Sequence, residues 1–117
     1  MDGVFIEEVS DATFNVAFDC QNSTWRINYT IHEGWIQLYA PLTQLDDNSH
    51  LALIQAALRH NMKLGVMRFA LRDNTLSLRG EFPELDFKDD EFRLVSQLAV
   101  ETVKRMVEEM GLRSFQT

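Results

Sequence analysis

From Phe14 onward the chain alternates apolar and polar residues with a period of two, and few folds tolerate that pattern. Phe14, Val16, Phe18 and Cys20 alternate with Thr13, Asn15, Ala17 and Asp19; Trp25, Ile27, Tyr29 and Ile31 alternate with Thr24, Arg26, Asn28, Thr30 and His32. Successive side chains of a strand point to opposite faces, so each run has one apolar and one polar face. A third run, Trp35 to Leu42, is apolar on both sides. Trp35 and Tyr39 share one face, and Ile36, Leu38, Ala40 and Leu42 the other, the pattern of a central or doubly covered strand. Gln21-Asn22-Ser23 and Glu33-Gly34 supply the turns between the runs. Connections this short cannot carry a parallel crossover, so the strands pair antiparallel.

The rest of the chain reads as cover for this sheet. Residues 1–12 give no amphipathic helix; Val4-Phe5-Ile6 has the composition of a short strand or an irregular lead-in. After Pro41, Asp46-Asp47-Asn48-Ser49 offers helix caps, and Leu51, Ile54, Leu58 and Met62 recur at helical spacing, predicting a helix from about Ser49 to Asn61. Gly65 ends it. A second hairpin follows, Val66 to Arg72 and Thr75 to Phe82 around Asp73-Asn74, with Gly80 as a candidate bulge. A final helix runs from about Lys88 to Met110, with Asp89, Asp90 and Glu91 in its first turn and Gly111 as its stop. Its buried stripe is Phe92, Val95, Ala99, Val103, Met106 and Met110, widened by Leu98 and Val107. Residues 112–117 form a tail. The order is β-β-β-α-β-β-α: a single α+β domain, an antiparallel sheet of about five strands with helices on one face.

At 117 residues the chain buries a real core without staples. A formal charge of −7 argues against nucleic-acid or anionic-membrane binding, which need clustered cations. The single Cys20 sits on an apolar strand face and has no partner for a disulfide. That thiol, with no signal-like lead-in and no membrane-length apolar run, leads us to expect a cytoplasmic location. His32, His50 and His60 fall in three different elements with no metal-ligand spacing, and no phosphate loop or nucleophile elbow is present, so the expectation is a non-enzymatic chain without metal or cofactor. One constellation stands out. Arg26, Arg68, Arg72 and Arg79 all project from polar strand faces, which would make a cationic patch for carboxylates of a partner.

Trp25-Arg26-Ile27, Tyr39-Ala40-Pro41-Leu42, Leu64-Gly65-Val66-Met67-Arg68-Phe69 and Leu76-Ser77-Leu78-Arg79, each in its place between the helices, together resemble the YbjN family. Those proteins are described as bacterial sensory transduction regulators and are similar in fold to type III secretion chaperones. The resemblance spans roughly Phe14 to Met110. It implies a bacterial, cytoplasmic, chaperone-like protein, a homodimer that binds another protein rather than a catalyst. Family members place an amphipathic helix before the first strand, and the dozen residues before Phe14 here do not read as one. Incomplete coverage of the sheet is therefore expected, with Trp35 and Tyr39 exposed as aromatic anchors. The candidate partner-binding set is Trp25, Trp35 and Tyr39 with Arg26, Arg68, Arg72 and Arg79. An alternative is a small-molecule sensor with a cavity lined by Met62, Met67, Met106 and Met110.

Overall fold

The computed structural model describes residues 3–45, 50–61 and 67–112. Within them the order is β1 (Val4–Ser10), β2 (Thr13–Cys20), β3 (Ser23–His32), β4 (Trp35–Gln44), α1 (His50–Asn61), β5 (Met67–Arg72), β6 (Thr75–Pro83), a single 3-10 turn (Glu84–Asp86) and α2 (Asp89–Met110). The strands form one six-stranded antiparallel sheet in the spatial order β1-β2-β3-β4-β6-β5. The α+β class and the antiparallel pairing agree with the sequence reading. The strand count does not, because the segment read as a lead-in or short strand is a seven-residue edge strand. It escapes a periodicity argument because Val4, Ile6 and Glu8 fall on one face and Phe5 and Glu7 on the other, so neither face is cleanly apolar, and a register shift between Glu8 and Ser10 breaks the alternation. The proposed caps at residues 46–49, Met62, Gly65 and residues 113–117 lie outside the described residues.

Three of the hairpins are closed by two residues with positive φ: Gln21-Asn22, Glu33-Gly34 and Asp73-Asn74. Two left-handed residues in succession match the right-handed twist of the flanking strands, so these loops are tight and fix the register. Cys20 faces Ser23, His32 faces Trp35 and Arg72 faces Thr75 across them.

That register decides the core. Val16, Phe18, Trp25, Ile27, Tyr29, Leu38, Ala40 and Leu78 share one face and are buried. Ala99, Val103, Met106 and Val107 of α2 close over them, as do Ala56 and Ala57 of α1. The stripe of α2 is shifted from the one read in sequence: Ser96 and Thr102 are buried, while Leu98 is exposed. Ser96 earns its place through a 2.6 Å hydrogen bond between its Oγ and the hydroxyl of Tyr29. Burial, partly opposed by that bond, pushes the Tyr29 phenol up to about 12. Gly111 ends α2 in the left-handed conformation, its N–H returning to the carbonyl of Val107. Gly80 is not a bulge. It pairs regularly with Leu38 and Met67, and a Cβ there would stand 3.1 Å from both Met67 Cγ and Phe82 Cζ, so its bareness makes room for core side chains. The irregularities of the sheet lie instead between Glu8 and Ser10 and between Pro41 and Thr43.

Candidate protein-binding surface

Both helices lie on one side of the sheet, and among the described residues no helix covers the other side. The register places Arg26 on β3, Trp35 and Tyr39 on β4, Arg79 on β6 and Arg68 and Arg72 on β5 on this open face. Six of the seven candidate residues thus share one surface. Trp25 does not. It is opposite Phe18 on the covered face, only 1% exposed, and its indole N–H donates to the carbonyl of Cys20 at 3.1 Å. It is a core residue, because the parity of β3 ties it to Ile27 and Tyr29.

The open face divides into two halves. Across β1, β2 and β3 its polar groups satisfy one another. Arg26 Nε donates to Glu7 Oε1 at 2.9 Å, Asn28 donates to Asn15 at 2.9 Å, and Thr30 donates to Asn28 at 3.0 Å. The Arg26 guanidinium beside Glu7 holds that carboxyl below the usual range, against a smaller opposing effect of burial. Arg26 is therefore already committed, and its charge is not free for a partner.

Across β4, β6 and β5 the face is less self-sufficient. Trp35 is 50% exposed, between His32 on one neighbouring strand and Pro83 on the other. The Arg79 guanidinium lies over the Tyr39 ring, 4.6 Å from its centroid, and its Nε donates to Ser77 Oγ at 3.3 Å. Ser77 in turn donates to the carbonyl of Ala70 at 3.4 Å. These contacts orient Arg79 without neutralising it. Arg68 faces Arg79 directly across the β5–β6 pair and reaches Glu81 only at 3.9 Å. Tyr39, Arg72, Thr75, Ser77 and Arg79, with Asp73 alongside, line a shallow hollow of about 280 Å³. Facing arginines are unfavourable in the free protein and favourable once a carboxylate lies between them.

Cys20 is buried, and burial, with Glu108 nearby, pushes its thiol up, away from the reactive thiolate. Among the described residues no group of three or more His, Cys, Asp and Glu side chains is placed to hold a metal ion, and no helix is long and apolar enough to cross a membrane. Met67 and Met106 are buried in the core, Met110 is partly buried against it, and Met62 lies outside the described residues. Sequence reasoning missed Phe5, which is exposed on the same open face at its β1 edge. The acids that follow it in β1 obscured that signal. No family model, curated protein or solved structure matches the chain.

Proposed function

We propose that this chain is a non-enzymatic, chaperone-like adaptor that binds a segment of another protein on its open sheet face, and that it does so as a cytoplasmic homodimer similar to the bacterial YbjN proteins. The observation that carries the reading is the half-exposed Trp35 on the same strand and face as Tyr39, whose ring supports an arginine left without a full counter-charge. Exposed aromatic rings and oriented guanidinium groups are the side chains that concentrate binding energy at protein interfaces. The partner segment supplies an apolar side chain to Trp35 and a carboxylate to Arg72 and Arg79. Trp25 and Arg26 take no direct part.

The test is affinity capture from the native cell with the wild-type chain and with Trp35→Ala and Arg79→Ala, alongside light scattering of the purified protein. The expected result is one or a few partners retained by wild type, with each substitution weakening capture about tenfold or more while leaving the fold intact. A strict monomer that captures nothing sinks the proposal.

A further inference from the structure

The covered side of the sheet is not covered to its edge. Phe92 and Ser96 of α2 pack over Phe14 and Tyr29 on β2 and β3, while Val4, Ile6 and Glu8 of β1 occupy the same face beyond the helix. Ile6 is 60% exposed as a result. Between β1 and the start of α2 lies an open groove of about 560 Å³, within the range of ligand-sized sites, about 300–1,000 Å³. Ile6, Phe14, Ile31, Ile36, Phe87 and Phe92 line it with apolar surface. A smaller hollow of about 160 Å³, sharing Ile6 and Phe92, continues it along β1 past Val4 and Val16.

The aromatic walls pack on one another. Phe14 stacks on Tyr29 with ring centroids 5.1 Å apart, Phe92 lies 5.7 Å from Phe14, and Phe87 lies 6.1 Å from Phe92. Such a cluster keeps its apolar surface in water instead of collapsing over it. The exposed lining is charged: Glu8, Asp11 and Asp89 against the single Lys88.

We infer that this groove is a second docking site, and that its occupant is a cationic amphipathic segment of a partner protein, apolar on one side and bearing lysine or arginine on the other. The lining sets both requirements. The aromatic floor takes bulky apolar side chains, and the three carboxylates take the flanking cations. The lining runs across four strands, from Ile6 on β1 through Phe14 and Ile31 to Ile36 on β4, a span of about 14 Å at the usual strand spacing. That length accommodates a short peptide segment. The site is on the opposite side of the sheet from Trp35 and does not depend on the open-face reading.

The experiment uses the full chain and a labelled amphipathic peptide of leucine and lysine, followed by fluorescence anisotropy, with a leucine and glutamate peptide of the same pattern as control. The expected result is saturable binding of the cationic peptide alone, weakened about tenfold or more by Ile6→Glu. The pair Glu8→Lys with Asp11→Lys weakens it comparably, and the pair Glu101→Lys with Glu108→Lys, which changes net charge equally on the outer side of α2, does not. Trp35→Ala leaves it unchanged. Circular dichroism confirms the fold of each variant, and should Ile6→Glu fail to fold, the comparison of the two charge pairs decides alone. Absence of binding, equal binding of both peptides, equal loss in both charge pairs, or a dimer that Ile6→Glu dissociates would each overturn the inference.

Discussion

Trp25 and Trp35 belong to neighbouring strands of one sheet and have opposite environments. Trp25 lies under α2, 1% exposed, with its indole N–H bonded to Cys20. Trp35 is half exposed on the face opposite the described helices. The residue type is the same and so is the secondary structure, so what separates them is parity relative to the helical layer. A face without a layer over it has two ways to deal with its side chains. It can let its polar groups bond to each other, as Arg26, Glu7, Asn15, Asn28 and Thr30 do. Otherwise it leaves surface for something else, as it does at Trp35 and around Arg68, Arg72 and Arg79.

The largest effect separating the two faces is expected from the tryptophans themselves. Trp25→Ala opens a cavity in the middle of the core and should cost about 3–5 kcal/mol of stability, enough to unfold a marginal domain. Trp35→Ala should cost about 1–2 kcal/mol, because half of its surface is already in water. Urea unfolding of both variants measures the difference. Comparable losses would break the contrast. A Trp35→Ala loss that grows with protein concentration would sharpen it differently, by showing that a second copy covers the open face.

The contrast was partly legible in the residues. The alternation of β3 groups Trp25 with Ile27 and Tyr29, and the run in β4 separates Trp35 and Tyr39 from Ile36 and Leu38. Placing Trp25 among partner-facing residues follows the motif of a family resemblance, and the parity argues against it. Two other features were out of reach of pattern reasoning. β1 mixes acids and apolar residues on both faces because an edge strand buries only part of each, so no period emerges. Ser96 looks like a solvent residue, and only the hydroxyl of Tyr29, brought there by the register of β3 under α2, explains its burial. The division of the arginines could not be read either. Whether a guanidinium is spent or free depends on which strands become neighbours, and Arg26 meets Glu7 only because β1 pairs with β2.

Tyr29 offers a test of intermediate size, specific to the covered face. Its phenol ionises near 10 in the unfolded chain and is pushed up to about 12 in the fold, chiefly by burial. A raised folded value means that the native state favours the protonated form. The contribution is complete below pH 10 and is lost as pH rises through about 12. At roughly 1.4 kcal/mol per pKa unit, the loss amounts to about 2–3 kcal/mol. Unfolding free energies at about pH 8 and about pH 11 should differ by about half of that, roughly 1.4 kcal/mol, in the wild type. Tyr29→Phe should flatten that dependence while costing about 1 kcal/mol at neutral pH through the orphaned Ser96 hydroxyl. An unchanged alkaline slope in the variant would mean that another group carries it.

The smallest effect belongs to the self-satisfied half of the open face. Arg26 and Glu7 are paired at 2.9 Å with side-chain exposures of 31% and 33%, so solvent screens them and their coupling should be only about 0.2–1 kcal/mol. A double-mutant cycle with Arg26→Ala and Glu7→Ala isolates it. Because Arg26 holds the Glu7 carboxyl below its usual value, the coupling should be intact at neutral pH and lost as pH falls through that lowered value. It should also shrink with added salt. The same cycle between Arg68 and Glu81, 3.9 Å apart at 55% and 58% exposure, should give a value nearer zero. Equal couplings for the two pairs would erase the distinction between a half of the face that has settled its own charges and a half that holds them for a partner.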